Sequence, residues 1–409
     1  MTRLDRKTSL AWIGGRETVP AAVASYRVFN LSKSPERSTD NPNPSYVGAY
    51  QPGPARAGGR YFDISFSTEF RGSDSADVPP PDGALLRACT FAETVNGTTP
   101  NIGYKYAVGD PHLNTGNPAG ETDIVALNLY QDGLYRQINN CVGDVTVSFI
   151  AGQVPTFDYS FRGTVTDAVN GWITGTATAF STMAYPRPVE EAGLTATITR
   201  SGTVTGTVTG TSSTTVCIDS TATYLSDGLY AGDAVALDIG GETATIVSVD
   251  SETQFTSTAL SGAGTYDSAE AYTITRATSY ATASTELVIP SIVYSVGNII
   301  DDRRDANGEQ GYSPPIITGR KPTITMVVEV PQLYDMNFEY EFINNSTLDI
   351  TWVHEAGYGD RHEATMKFSG VINSMPVVSE QNGKLIYTLT MDQGITTGDD
   401  PFSISWQGT

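Results

Sequence analysis

The chain has 409 residues, enough for two or three domains and a core that needs no disulfide or metal staples. Its 24 Lys and Arg against 45 Asp and Glu give a net charge of −21. That balance argues against a primary role in gripping nucleic acid, which needs a basic footprint.

Forty Gly, 22 Pro and 21 Tyr, with abundant Thr and Val, favour short strands broken by turns. Three cysteines, Cys89, Cys141 and Cys217, are too sparse for a disulfide framework. No apolar run approaches membrane-spanning length, and MTRLDRKTSLAW lacks the apolar stretch and cleavage site of a signal peptide. A soluble protein made in the cytoplasm, without membrane insertion, is expected. The acidity has two readings: general solubility, or the lining of a surface that must not hold DNA.

Residues 1–60 read as loop-rich. Five prolines in 32–59 exclude a helix interior or a central strand. Tyr46, Tyr50, Arg56 and Arg60 give this 32–60 loop groups with which to dock on a neighbouring molecule. In RYFDISFSTEFRG, Phe62, Ile64, Phe66 and Phe70 alternate with Asp63, Ser65, Ser67 and Glu69, the period of a half-buried strand. Prolines end it, and Asp82 is placed to cap a short helix through Leu85, Leu86 and Cys89, the one helix expected. Strands return in VTVSF and PTFDYSFRGTV, with Phe157, Tyr159, Phe161 and Val165 on one face.

The composition changes over 194–280, which is rich in Thr, Ser and Gly. From 200 to 276, nine acids face only Arg200 and Arg276. TTVCI, DAVALDI, TATIVSV, QFTSTAL and AYTITR read as closely spaced short strands of a small barrel or sandwich. An insertion over 196–282, splitting a host of 1–195 and 283–409, explains the shift. The host resumes in PTITMVVEV. FEYEF then reads as a strand with Phe338, Tyr340 and Phe342 opposite Glu339 and Glu341. Asn382-Gly383, between MPVVSE and KLIYTLTMD, marks a type I′ hairpin.

No catalytic or cofactor signature is present: no Walker A loop, no Gly-x-Ser-x-Gly elbow, no His-Glu-x-x-His. His112, His354 and His362, even with Glu355, Asp360 and Glu363, match no metal spacing. DDRRDANGEQG (301–311) fails as a calcium loop, because Arg303 and Pro314 fall where oxygen ligands belong, and reads as a solvated turn. No pair of carboxylates stands out as a glycosidase pair. A structural protein rather than an enzyme is expected, with no cofactor or metal.

Four segments carry a resemblance. They are FSTEFRGSDSADVPPPDGALLRACTFAET (66–94), GDVTVSFIAGQVPTFDYSFRGTV (143–165), SVGNII leading to ITGRKPTITMVVEV (295–330), and GKLIYTLTMDQGITTGDDPFSISW (383–406). In order and spacing the chain resembles the major tail tube proteins of long-tailed bacteriophages, over most of 1–185 and 285–409. AWIGGRETVPAA departs from the family's usual start. Residues 205–276, with the turn Leu229-Tyr230-Ala231-Gly232-Asp233, resemble small β-domains added to phage structural proteins.

The resemblance implies a β-sandwich or barrel with one flanking helix. It implies subunits joined in hexameric rings that stack into a tail tube in the virion. Partners would be other copies, the tape-measure protein, and the tail terminator and distal tail proteins. Viral DNA would pass through without specific binding. Asp63, Glu69, Asp144, Asp158, Glu339 and Glu341 are the candidate lumen-facing acids, expected to alternate outward on strands. The small β-domain would sit on the outer wall. A surface adhesin or carbohydrate-binding β-protein is the alternative reading.

Overall fold

The computed structural model describes residues 8–14, 28–40, 56–72, 80–96, 103–108, 124–131, 134–164, 173–174, 194–200, 203–210, 213–225, 227–276, 279–281, 288–305, 307, 312–330, 337–355, 363–393 and 402–406. The fold is mainly β, with short helices.

The first part of the chain supplies β1 (Thr8–Gly14), β2 (Phe29–Asp40), β3 (Arg56–Glu69), helix α1 (Gly83–Ala88), β4 (Phe91–Asn96), β5 (Gly103–Val108), β6 (Val125–Gln131), β7 (Leu134–Ile150), β8 (Thr156–Thr164) and β9 (Ile173–Thr174). The middle supplies β10 (Leu194–Arg200), β11 (Thr203–Thr207), β12 (Val216–Ile218), β13 (Ala234–Leu237), β14 (Thr243–Ser251), β15 (Gln254–Ser257), β16 (Ala271–Thr275) and β17 (Ser279–Ala281). The last part supplies β18 (Ser291–Ser295), β19 (Asn298–Asp301), β20 (Ile316–Arg320), β21 (Thr323–Glu329), helix α2 (Phe338–Ile343), β22 (Thr347–Glu355), β23 (Glu363–Ile372), β24 (Val378–Gln381), β25 (Lys384–Gln393) and β26 (Phe402–Trp406).

One large antiparallel sheet joins the two outer parts. Its path runs β2–β3–β8–β7–β18–β21–β25–β23–β22–β10–β17. A branch leaves β23 through β26 to β5 and β4. The 17-residue β7 bends at Asn140, whose φ is +53°, where its register with β8 slips between Asn139 and Val142. That bulge lets its first half pair with β6 and its second half with β18.

The expected alternation holds in β3 and β8. Phe62, Ile64 and Phe66 are buried, and Ile64 and Phe66 sit opposite Phe161 and Tyr159. Each such side chain contributes roughly 1.5–3 kcal/mol by burial. The rings run in series: Phe66 to Tyr159 at 5.5 Å, Tyr159 to Phe161 at 5.6 Å, Phe70 to Phe157 at 5.0 Å. Residues distant in sequence complete the same core. Tyr294 stacks on Phe402 at 3.5 Å, and Phe149 meets Trp352 edge-on at 5.8 Å.

Three expectations are corrected. The 32–60 segment is not a loop throughout: β2 takes in residues 32–40 and pairs with β3, out to Asp40 opposite Arg56. Pro35 is tolerated because β2 has β3 as its only partner among the described residues, and an edge strand can lose a donor. FEYEF is a helix, not a strand. Asn337 caps it, its Oδ1 accepting from Tyr340 N at 3.0 Å. The Ser346 N to Glu341 O and Asn345 N to Phe342 O bonds, with Asn345 at φ +52°, close it as a Schellman turn. Phe338 and Phe342 meet the core one turn apart, so five residues of alternation also fit a helical period. The molecule therefore has a second helix besides the expected one.

Helix α1 forms with Leu85, Leu86 and Ala88 fully buried, but Asp82 makes no side-chain cap bond. Its carboxylate instead accepts from Thr68 Oγ1 at 3.1 Å.

Residues 203–275 build a second, six-stranded sheet in the order β11–β16–β13–β14–β15–β12, around a core of their own. It curls until Thr209 N and Gly210 N, just past β11, donate to Ile218 O at the end of β12. The host sheet reaches further than the boundaries at 196 and 282, because β10 pairs with β22 and β17 pairs with β10.

Candidate functional site

The sheet of β2, β3, β8 and β7 has an apolar face in the core and a polar face opposite. Register places Ser32, Ser65, Ser160 and Asp144 in one row across the four strands. The next row holds Ser34, Asp63 and Arg162. The strand period therefore sets Asp63, Glu69, Asp144 and Asp158 on a common face.

Each of these four carboxylates has a partner. Asp63 takes a forked pair of bonds from Arg162, Nε at 2.7 Å and Nη2 at 3.0 Å. Glu69 pairs with Arg71. Asp158 accepts from Ser67 Oγ at 2.5 Å. Asp144 accepts from Asn298 N at 3.0 Å, and burial pushes its carboxyl up although backbone N–H groups of Asn298, Val145 and Gly297 oppose that.

Arg162 is the hub that sequence reading missed. Besides Asp63 it reaches Asp302 at 3.2 Å and lies 4.5 Å from the centre of the Tyr61 ring. Its hydrogen bonds to Asp63 first, then the nearby carboxylates, hold its proton more tightly than usual. Asp302 belongs to the segment read as a solvated turn. It is instead drawn onto the sheet, where Tyr312 also packs edge-on against Tyr61 at 5.9 Å. Strand β19 and the polar face border an open cleft of about 360 Å³, lined by Asp63, Asp144, Arg162 and Asn298 among others. Only the β3–β8 register puts Asp63 beside Arg162, and no local motif carries that signal.

Glu339 and Glu341 do not join this face. Both lie on α2: Glu341 is buried, and Glu339 accepts from Tyr387 OH at 3.5 Å. The outward strand orientation expected for them is wrong because the segment is helical. Tyr46 and Tyr50 lie outside the described residues, while Arg56 and Arg60 stand on β3 opposite Asp40 and Arg37.

Among the described residues no group of three or more His, Cys, Asp or Glu is placed to hold a metal ion. His354 and Glu355 end β22, across from Ala364 and Glu363, whereas His112, Asp360 and His362 lie outside the described residues. The three thiols are buried, and burial raises each, Cys217 to about 12. No helix among the described residues is long and apolar enough to cross a membrane.

The polar face thus carries Asp63, Glu69, Asp144, Asp158 and Asp302 against Arg71 and Arg162. It can repel a polyanion while its ion pairs keep the strands in register. The chain matches no protein-family model and no curated protein sequence.

Proposed function

We propose that this chain is a structural subunit that assembles with its own copies into stacked hexameric rings, forming the tail tube of a long-tailed bacteriophage. Its place would be the virion tail, with tape-measure, terminator and distal tail proteins as neighbours. The tube would be a conduit that DNA crosses without being bound.

The observation that carries the reading is the edge strand β2. It is 12 residues long and has β3 as its one strand partner among the described residues, an edge to which a neighbouring subunit can add a strand. A closed ring of subunits satisfies such edges, as an isolated sandwich does not. The four resembling segments support it too, since β3–α1–β4, β7–β8, β18 to β21 and β25–β26 all contribute to one core. The surplus of carboxylates on the β3–β8 polar face suits a wall along which phosphates slide.

Negative-stain electron microscopy of the purified chain, fresh and after concentration, tests the proposal. Hollow tubes or stacked rings are the expected result. Closed particles that never stack would overturn it and favour the adhesin alternative, which binding to a glycan array tests.

A further inference from the structure

The inserted sheet is joined to the host by more than its two chain crossings. Arg276, the residue after β16, donates from Nη2 to the hydroxyl of Tyr340 on α2 at 3.0 Å. The same Nη2 also donates to the carbonyl of Asp227, in a turn of the insert. The Arg276 guanidinium lies 5.5 Å from the centre of the Tyr340 ring.

Gly228, next along that turn, has φ +64°, and a Cβ there would stand 2.5 Å from Tyr340 Cε1. The insert's turn therefore lies directly against the Tyr340 ring, and any larger residue there would push that ring aside as well as strain the backbone. The turn is itself held, with Thr223 Oγ1 donating to Asp227 Oδ2 at 3.0 Å and Gly228 N to Leu225 O at 3.1 Å. On the host side, Tyr340 sits on a helix capped at both ends and anchored by buried Phe338.

We propose that Arg276, Tyr340 and the Asp227–Gly228 turn form a latch that fixes the orientation of the inserted β-module against helix α2. Without it the module would hang from the two chain crossings beyond β10 and before β17, and domains joined through so little surface swing as the default. With it, each copy presents the module at one angle. Arginine suits the position because its Nη2 donates to both the carbonyl and the hydroxyl while the guanidinium stays beside the ring.

The test is a distance distribution by pulsed electron spin resonance on the full chain. Labels go on Ile239→Cys in the module, 70% exposed, and Ser379→Cys in the host, also exposed. The native thiols are buried and escape labelling. With the latch intact one narrow distribution is expected. Tyr340→Ala or Arg276→Ala should widen it about twofold or more, and Tyr340→Phe, which keeps the ring and loses one hydrogen bond, should widen it less. Equal widths in the intact protein and both alanine variants, whether narrow or broad, would overturn the proposal. Should Tyr340→Ala lose its near-ultraviolet circular dichroism, Arg276→Lys decides by the same comparison.

Discussion

Two aspartates, one in the host and one in the insert, are both closed to solvent, and their carboxyls are shifted in opposite directions. Asp82 is 2% exposed and Asp219 is 1% exposed. Burial pushes the Asp82 carboxyl up to about 7, with the bond from Thr68, the charge of Arg71 and a bond from Tyr159 only partly opposing it. Asp219 is also desolvated, yet its carboxyl is held below the usual range. Four donors meet it: Thr221 Oγ1 at 2.7 Å, Thr221 N at 2.9 Å, Tyr272 OH at 2.9 Å and Thr207 N at 3.1 Å. Asp82 is closed in by far more protein than Asp219, so desolvation outweighs its donors, whereas at Asp219 four donors outweigh a weaker desolvation.

The contrast extends to the cores. The host interior is an aromatic series gathered from both ends of the chain, with Trp352, Phe402 and Tyr294 meeting Phe149 and Phe70. The insert is built from one contiguous stretch. Through its core runs a polar relay, with Cys217 Sγ 3.7 Å from Tyr224 OH, and Tyr224 OH 2.7 Å from Tyr272 OH, which ends on Asp219. A small sheet has little apolar volume to fill, and buried tyrosines that satisfy one another specify its packing instead.

Three substitutions break or sharpen this comparison. Trp352→Ala should have the largest effect. It empties a fully buried host site and should cost about 3–5 kcal/mol. In calorimetry the host transition should fall while that of the insert stays. Equal loss in both would show that host and insert unfold as one unit.

Asp82→Asn comes next. Because the folded pKa lies above the unfolded one, the folded state binds the extra proton between pH 4 and 7. Stability is therefore lost as pH rises through that window, by an amount on the order of 4 kcal/mol. Asp82→Asn should abolish this slope and raise the host midpoint at pH 8; an unchanged profile would mean that Asp82 does not titrate there.

Tyr272→Phe should have the smallest effect, about 1–3 kcal/mol, by removing one donor to Asp219 and one partner of Tyr224. Asp219 works in the opposite sense to Asp82. Its folded pKa is depressed, so its stabilisation is present above the unfolded pKa and lost as pH falls through the folded one. With Tyr272→Phe the insert should melt lower at neutral pH and show a smaller acid-side loss in urea titrations. A larger acid-side loss would count against the relay.

What the sequence made legible follows the range of the forces involved. Phe62, Ile64 and Phe66 declared their face by local alternation, and Leu85 and Leu86 declared a helix behind three prolines. Asn382-Gly383 declared its turn, and both residues have positive φ, +53° and +76°. Phe338 to Phe342 misled because five residues satisfy both periods, and the caps at Asn337 and Asn345 carried the answer. The polar face was half visible. Its acids could be named strand by strand, but Arg162, Asn298 and Asp302 reach it through pairings 99 to 154 residues apart. No window along the chain spans such distances.

The register of Thr203 opposite Thr275 has a further consequence. The chain enters and leaves the insert at a single point, at the end of a paired stem. The insert is thus a cargo mounted on a port: a short turn could close the stem in its place, or a foreign domain with adjacent termini could be spliced there. If copies of the host line up in rings, that port becomes a regularly spaced display site, one per subunit, whose payload can change while the strands beneath it keep their pairing.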